Sequence, residues 1–564
     1  MLLIKNKKMK EETQQCNRCK QNFILEEDDF SFYEKMKVPP PNVCPDCRFK
    51  MRAMWRNEMS LYSGRKCELC KKNIVTMYNP KSQYKIYCFD CYSSDKWDSR
   101  DYTRDFSINE PFFNQLKKLL VNVPKSATFI SKADGPNINS EYANMAGGLK
   151  NCYMVFNSGP FEESLYTRGI RNSREVVDCY YGIDLELIYE GVNCSKSSKI
   201  IFGKDINGCV DCAFISNCSG CIDCFGCVNL RNASHQIFNK EVTKDEYNKF
   251  VNEILGSYSK LNKFKEEFSR FEKNFPVREN HNLKSINSIG DYLIECKDIK
   301  NSFEVARSEN CKFMFSTKET KDSMGVIGFG FRSENLLENI AIGYSSCVIG
   351  SCSITNSQNV MYSYLLYNCH DCIGCDGLKN AEYCILNKQY SKEEYEKLKE
   401  HIIKELTDKG IYGLMMPVEI APFAYNETIA QDNMPLTKEE ALAQGFRWED
   451  DIQMTKGKET LQSGEIPDHI NDVKDSITSE ILKCISCERN YKITEQELLF
   501  YRKMKLPIPR KCFFCRHQDR IHRRGPYKFW DRKCDHCGKD IKTNYSPDRK
   551  EIIYCEKCYQ NEVY

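Results

Sequence analysis

Apolar residues in the range 126–240 occur in short runs separated by Asn, Ser, Gly and Cys, without a long helical period. This pattern is typical of many short β-strands. Cysteines recur there at a constant spacing along the sequence, which is the spacing from Cys179 to Cys194. Cys296 and Cys311 have the same spacing. Side chains that stack on successive turns of a β-solenoid produce such recurrence. We therefore predict a mainly β fold with a β-solenoid core, whose turn length is either this step or a longer one.

An internal duplication divides this region into two halves. Residues 221–247 match residues 369–395 at a constant offset of 148. Near the end of each copy the sequence predicts the start of a helix. Thr243 in one copy and Ser391 in the other are followed three positions later by a glutamate, which is the pattern of a capping box. The two halves are therefore predicted to share one architecture, each closed by a helix that covers an end or an edge of the solenoid.

Helical periodicity and capping residues predict four helices along the chain. The first ends at Pro124, and Thr437 followed by Glu440 caps the last. The predicted ranges are 108–124, 243–272, 391–408 and 435–448.

The chain is long enough for several domains, with 564 residues, of which 41% are hydrophobic and 29% charged. The N-terminus has too few apolar residues before its first lysines for a signal peptide, and no run reaches the roughly 18 apolar residues of a membrane span. We therefore expect a cytoplasmic protein, in which the 33 cysteines are reduced.

The net charge of +3 is unevenly distributed. Residues 1–100 carry 20 Lys and Arg against 13 Asp and Glu, residues 481–564 carry 20 against 11, and the middle has a net charge of −13. Thiolate ligands of bound zinc would reduce the positive charge of both ends without reversing it. The ends are therefore the candidate surfaces for nucleic acid.

Sixteen cysteines form eight CxxC pairs, arranged as two matching sets near the two ends. The gap from Cys19 to Cys44 equals that from Cys487 to Cys512. The shorter gap from Cys70 to Cys88 equals that from Cys537 to Cys555. Two such pairs complete a closed tetrahedral zinc site of four thiolates, and the metal supplies folding free energy that a module of roughly 40 residues lacks. We predict four structural zinc ions, with disulfides as the alternative. The predicted ligands are Cys16, Cys19, Cys44, Cys47, Cys67, Cys70, Cys88, Cys91, Cys484, Cys487, Cys512, Cys515, Cys534, Cys537, Cys555 and Cys558.

The two ends also carry a family resemblance, which covers only the first cysteine-paired segment of each. In the C-terminal copy it rests on Cys484, Cys487, Glu495–Glu497, Phe500, Tyr501, Pro509, Cys512, Cys515 and Arg516. This copy resembles the treble-clef zinc-ribbon domains of bacterial proteins, and the N-terminal copy departs from it by EEDD at 26–29 in place of TEQE. The resemblance implies a zinc knuckle, a hairpin and a second cysteine pair that opens a helix. The whole chain resembles a bacterial family with such ends, a cysteine-rich middle and a segment like residues 422–446. No expectation of an activity follows from this similarity.

The run Cys218, Cys221, Cys224 and Cys227 is similar to part of an iron–sulfur ligand pattern. The duplicated half has Leu366 at the position that matches Cys218. A cluster ligand does not exchange with leucine, whereas a buried reduced cysteine behaves as a small hydrophobic residue. Buried reduced cysteine is the favoured interpretation, with an extra metal site and a cluster as alternatives.

No pattern indicates catalysis. GxSxG, P-loop and HExxH motifs are missing from the sequence, and no histidine among the eight has a context that indicates a base. A solenoid can host enzymes, but a fold does not imply a function. We expect a non-enzymatic protein, with an enzyme on the solenoid face as the least favoured alternative.

The predicted function is a zinc-binding scaffold that contacts nucleic acid through its zinc ribbons, and the alternative is a protein–protein interaction scaffold in a cytoplasmic assembly. No membrane partner or small-molecule substrate is expected. Basic side chains that follow a cysteine pair, near aromatic residues, are the candidate phosphate contacts. These are Arg48, Lys50, Arg52, Arg56, Arg516, Arg520, Arg523 and Arg524.

Six segments are predicted: zinc modules at both ends, two solenoid halves with their helices, a helical linker and a docking segment. Their ranges are 1–100 and 481–564 for the modules, 126–280 and 281–408 for the halves, 101–125 for the linker and 409–480 for the docking segment.

Overall fold

The computed structural model describes residues 11–131, 134–452 and 455–564. It contains 35% strand and 25% helix, which confirms the mainly β class. The chain forms two compact units, and each is built from two separate stretches. Unit 1 comprises Met1–Ala127 and Asn280–Asp450, and unit 2 comprises Thr128–Glu279 and Asp451–Tyr564. Each unit therefore combines one cysteine-paired end module with one of the duplicated halves.

The large sheet of unit 2 has 12 strands in the described part of the chain. Its strands are parallel except for the last pair, and the register advances by 12 positions at each step, as from Ile188 to Ile200 and from Ile200 to Cys212. The strands are Ala143–Asn144, Leu149–Lys150, Tyr153–Phe156, Phe161–Glu162, Leu165–Arg171, Ser173–Val177, Tyr180–Tyr189, Val192–Asn207, Val210–Ser216, Ile222–Val228, Ser234–Ile237 and Lys240–Glu241.

The large sheet of unit 1 has 13 strands among the described residues and follows the same register. Val348 pairs with Val360, and Val360 pairs with Cys372. A step of 13 at Thr320 and Ser333 marks one inserted residue. The strands are Ile289–Ile294, Lys297–Ala306, Glu309–Lys312, Phe315–Lys318, Thr320–Phe329, Ser333–Ile342, Ser346–Ile349, Cys352–Thr355, Gln358–Met361, Tyr364–Tyr367, His370–Ile373, Glu382–Ile385 and Lys388–Gln389.

The core of each sheet is filled by every third residue. In unit 2 this interior column includes Val176, Cys179 and the run from Cys218 to Cys227, all buried. Residues such as Asn217 and Gly220, with φ of 50° and 65°, lie one position before the interior residues and turn the chain at each step. The observed register shows that both predicted turn lengths, the cysteine step and the longer one, are wrong. The spacing from Cys179 to Cys194 is, like the observed register, a multiple of three. Both cysteines therefore fall on interior positions although they are not on adjacent strands in register.

Small polar residues in the interior hydrogen-bond to the backbone of neighbouring turns. Ser197 Oγ donates to the Ser195 carbonyl at 2.7 Å and accepts from the Cys209 N–H at 3.1 Å. Cys218 Sγ lies 3.4 Å from the Ser216 carbonyl, which its thiol can reach as a donor. Serine and cysteine are therefore suited to these positions, because they are small and satisfy backbone groups that a closed interior removes from water.

The predicted helices are present, with one difference. The predicted helix 243–272 is two helices, Lys244–Ile254 and Tyr258–Glu272. Gly256 has a φ of 92° between them, and Ser257 caps the second by accepting from the Lys260 N–H. The left-handed glycine ends the first helix, and the new cap starts the next. The other predicted helices are observed as Phe112–Asn122, Lys392–Asp408 and Lys438–Ala443, and Ile429–Asn433 is a short helix that was not predicted.

The two end modules consist of short hairpins and helices. That of unit 1 contains strands Glu12–Gln15, Asn22–Leu25, Tyr62–Lys66, Asn73–Thr76 and Ile86–Tyr87, with helices Glu27–Met36, Pro45–Ala53 and Phe89–Ser93. That of unit 2 contains strands Leu482–Lys483, Asn490–Tyr491, Trp530–Lys533, Asp540–Thr543 and Ile553–Tyr554, with helices Glu495–Lys503, Phe513–Arg524 and Glu556–Val563. The strands Lys125–Ser126 and Val277–Arg278 pair with the last strand of the first and second module respectively.

A buried ion pair joins the strand Lys125–Ser126, which pairs with the first module, to a residue that bridges to Tyr364 of the large sheet in unit 1. Lys125 Nζ bonds to Asp376, and both side chains are about 1% exposed or less. The rings of Tyr84 and Tyr364 lie 5.8 Å from the same Nζ. Burial raises the pKa of Asp376 to about 6 and lowers that of Lys125, because each ion loses its hydration.

Replacing Lys125 by methionine should destabilise unit 1 by about 3 to 5 kcal/mol at pH 8, because Asp376 is left without its counter-ion. The pKa of Asp376 is higher in the folded chain, so protonation of its carboxyl favours the folded state. The stability that this group contributes is therefore present at low pH and is lost as the pH rises through about 6. The loss should thus be smaller at pH 6 than at pH 8, and K125M/D376L should recover most of it. Urea unfolding of both variants at the two pH values measures this; an equal loss at both would contradict it.

Candidate metal centres

Four groups of four cysteines bring their sulfur atoms together. Within each group all Sγ atoms lie within 4.8 Å of one another, so four cysteine tetrads could hold metal ions. They unite the sixteen cysteines of the CxxC pairs in the order of the sequence. The tetrads are Cys16, Cys19, Cys44 and Cys47; Cys67, Cys70, Cys88 and Cys91; Cys484, Cys487, Cys512 and Cys515; and Cys534, Cys537, Cys555 and Cys558.

Each tetrad starts with a tight turn that places its first two sulfurs. The residue four positions after the first cysteine has a positive φ, and its N–H donates to the carbonyl of that cysteine at 2.8 to 3.0 Å. These residues are Lys20, Lys71, Glu488 and Gly538. The backbone N–H of the third cysteine donates to the first sulfur at 3.2 Å in the tetrads of Cys16, Cys67 and Cys534. Amide donors favour the thiolate, which is the form that binds metal.

The third cysteine of every tetrad begins a helix. Cys44, Cys88, Cys512 and Cys555 are the N-caps of helices that start at the next residue. The fourth cysteine then lies in the first turn of that helix, where the helix dipole also favours a thiolate. This is the arrangement implied by the treble-clef resemblance.

The distances between sulfurs fit a tetrahedral ion. Sulfurs 2.3 Å from a central zinc would be about 3.8 Å apart. The observed separations are 3.6 Å for Cys19 and Cys44, 3.9 Å for Cys70 and Cys88, 3.6 Å for Cys487 and Cys512, and 3.8 Å for Cys537 and Cys555. A disulfide would require about 2.05 Å. The described cysteines are free, so the disulfide alternative is wrong.

The helix after Cys44 holds the first module on the large sheet of unit 1. Arg48 Nη1 donates to Glu338 Oε1 at 2.9 Å, and Arg52 donates to the other oxygen of the same carboxylate. Arg48 also donates to the Tyr33 hydroxyl at 3.1 Å. The side chains of Arg48, Arg52 and Glu338 are at most 3% exposed. One buried carboxylate therefore serves two guanidinium groups.

Two glycines on the neighbouring strand leave room for this arrangement. A Cβ at Gly325 would lie 2.6 Å from Glu338 Oε1, and one at Gly328 would collide with Arg56. Both glycines also have a positive φ, of 70° and 76°. A side chain at either position would push the guanidinium or carboxylate groups apart.

The helix after Cys512 makes the equivalent contact in unit 2. Arg516 Nε and Arg520 Nη1 both lie 2.8 Å from the carboxylate of Asp178, whose side chain is fully buried. Arg520 also lies 3.3 Å from Glu190, and Arg523 donates to the Glu190 carbonyl at 3.0 Å. Burial raises the pKa of Glu190, although the arginines oppose this. The two units thus fix their modules by the same chemistry, with different carboxylates.

The predicted nucleic-acid residues are placed in these internal contacts. Arg48, Arg52, Arg56, Arg516, Arg520 and Arg524 are at most 5% exposed. Lys50 donates to Gln444 Oε1 at 2.7 Å, and Arg523 contacts Glu190. Trp55, the aromatic residue beside the first group, is 2% exposed. Six of the eight predicted side chains are therefore buried among protein groups, while Lys50 and Arg523 are half-buried. The structure does not support the nucleic-acid face predicted from them.

The carboxylates of these contacts were not singled out from the sequence. Glu338 is 290 residues from Arg48, and Asp178 is 342 from Arg520. The spacing of Arg48, Arg52 and Arg56 was a usable signal, because arginines four positions apart lie on one face of a helix. Such a face indicates an anionic partner, which can be a buried carboxylate of the same chain as well as a phosphate.

The cysteine run of unit 2 is arranged differently from the tetrads. Cys218, Cys221, Cys224 and Cys227 follow one another along the interior, and each Sγ lies 3.4 to 3.6 Å from the carbonyl oxygen two residues before it. In the described chain their sulfurs do not form a further converging group. Burial between backbone carbonyls supports reduced structural cysteine.

Comparisons with known proteins add little to this geometry. No protein-family model and no curated protein sequence matches the chain. Among solved structures, a protein from Desulfovibrio desulfuricans G20 inferred to be an acetyltransferase aligns over 56% of this chain and 88% of its own, with 11% identity and a TM-score of 0.10. So low a score carries no argument. No helix of the described residues is both long and apolar enough to cross a membrane.

Proposed function

We propose that the chain is a zinc-dependent scaffold. Four structural zinc ions, each held by one cysteine tetrad, fold the end modules, and each module is fixed by buried arginine–carboxylate contacts to its large sheet. Four thiolates leave no open coordination position, so the ions have a structural role. The constant parallel register supports a β-solenoid as the architecture of both sheets.

The observation that carries this proposal is the combination of metal site and ion pairs on one short helix. In Pro45–Ala53 and Phe513–Arg524, the first turn carries a tetrad cysteine and the next turns carry the paired arginines. Metal binding orients the helix, and the helix presents its arginines to the carboxylate. Because these arginines bind carboxylates within the chain, they weigh against nucleic acid as the partner. That the scaffold binds other proteins stays a prediction.

Purified protein should contain four zinc ions per chain, because each tetrad offers a complete set of thiolates. Elemental analysis of protein prepared without oxygen or chelators measures this number. Cys347→Ser is a matched control, since Cys347 is half-buried and lies outside the tetrads. This variant should keep four ions. Two or fewer ions in undamaged protein would contradict the proposal.

A further inference from the structure

An open groove follows one face of the large sheet in unit 1. Its volume is about 980 Å³, and its walls are residues at equivalent positions of successive turns. Arg307, Glu319, Arg332 and Tyr344 succeed one another at steps of 12 or 13 along one wall. Since adjacent strands are about 4.8 Å apart, the five steps from Arg307 to Asn368 span roughly 24 Å. The groove is therefore long enough for several units of a linear polymer.

Charges in the groove are already neutralised. Arg307 lies 2.7 Å from Glu319, Arg332 lies 3.9 Å from the same carboxylate, and Lys321 lies 3.9 Å from Glu309. A polyanion such as RNA would have to displace these carboxylates to reach a cation. The groove thus lacks the excess positive charge that phosphate binding requires.

The part of the groove beyond Tyr344 presents uncharged donors and acceptors. Asn356 Nδ2 donates to Asn368 Oδ1 at 3.0 Å, and Asn368 continues the ladder to Asn380 at 2.7 Å. An amide has two donors and two acceptor lone pairs, so this ladder uses only part of its capacity. Gln358 is exposed on the opposite wall, one strand step before His370. Hydroxyl groups are ligands that can donate to and accept from such a surface.

An exposed aromatic ring accompanies this polar surface. Tyr344, which lines the groove, is 54% exposed and stacks on Phe331 at 6.4 Å. A Cβ at Gly343 would meet no atom within 4 Å, which leaves open space beside this ring. Tyr367 is equally exposed, but it pairs with Thr355, which pairs with Gly343, so it belongs to the row next to the groove residues. A flat apolar ring beside amides suits a ligand with C–H faces and a hydroxyl rim.

We propose that this groove binds a neutral linear oligosaccharide. Tyr344 contacts the C–H face of one sugar ring, while Gln358, Asn356 and Asn368 hydrogen-bond to hydroxyl groups. The balanced charge disfavours polyanions, and the polar lining of the groove, which includes four serines, disfavours an apolar peptide segment. This inference is independent of the zinc proposal, because the groove is built by the large sheet.

Calorimetric titration of the zinc-loaded full chain with cellohexaose, chitohexaose and maltohexaose tests the proposal. At least one should bind with a Kd below about 1 mM. Y344A should weaken binding at least tenfold, and Q358A/N368A at least fivefold. Y564A is the control, because Tyr564 is a 70% exposed tyrosine of unit 2, and it should change Kd less than twofold.

Circular dichroism and zinc content confirm that each variant is folded. The proposal is overturned if none of the three sugars binds, or if binding is the same in folded Y344A as in the unchanged chain. It is also overturned if polyuridylate binds at physiological salt and is lost in the same groove variants, since the groove would then serve a polyanion.

Discussion

A Cys512→Ser substitution is expected to remove one zinc ion per chain and to unfold the helix Phe513–Arg524. Cys512 is 3% exposed, caps this helix and lies 3.6 Å from Cys487 across the tetrad. Three thiolates do not complete a structural tetrahedral site, and such sites contribute roughly 10 to 16 kcal/mol of apparent binding free energy. Without the helix, Arg520 leaves Asp178, and the loss extends from the metal to the module's contact with its sheet.

Elemental analysis should show three ions in this variant, and hydrogen exchange should show loss of protection over 484–524, with the sheet of unit 2 less affected. Cys209→Ser is the control: Cys209 is equally buried but occupies the interior column, where serine stands at equivalent positions such as Ser197. It should retain four ions and the protection of the module. Four ions in the Cys512 variant would show that this tetrad is not a zinc site.

The cysteine tetrads could be predicted from the sequence because the pairs that form them are encoded locally. Two cysteines three positions apart lie on one turn, so the spacing itself states which sulfurs can meet. The distance along the chain to the second pair differs between the two kinds of site, but each distance is repeated at both ends. The capping boxes at Thr243 and Ser391 were equally local, and both are present.

The turn length of the sheets could not be obtained in this way. The interior recurs every third residue, so any multiple of three gives a plausible alignment of cysteines, and the step from Cys179 to Cys194 is a different multiple from the observed register. Only the strand pairing distinguishes these multiples. The same period explains the run from Cys218 to Cys227, in which consecutive interior positions all happen to be cysteine.

The partners of the arginines were beyond sequence reasoning for a different reason. Charge counts show that both ends are basic, but they do not show whether a carboxylate hundreds of residues away faces them. Glu338 and Asp178 are among many acidic residues of the middle region, and they differ from most of the rest in being buried. Burial of a charge indicates a partner, and it is a property of the fold.

Replacing Glu338 by glutamine should destabilise unit 1 by about 3 to 5 kcal/mol, because two buried guanidinium groups lose their shared carboxylate. Glutamine has nearly the same shape, so the loss reports charge and hydrogen bonding rather than a cavity. Glu334→Gln is the matched control, since Glu334 lies on the same strand, Ser333–Ile342, and is exposed. It should change stability by less than about 0.5 kcal/mol.

Urea unfolding and hydrogen exchange of the helix Pro45–Ala53 measure these effects, and the zinc content separates them from loss of metal. R48M/R52M/E338L should be more stable than Glu338→Gln, because apolar groups of similar volume remove the uncompensated charges together with their partner. If Glu338→Gln behaves like Glu334→Gln, the arginines do not depend on Glu338 and the module is held by other contacts. A loss confined to Glu338→Gln and relieved in the triple variant would establish that the carboxylate fixes the zinc-folded helix on the sheet.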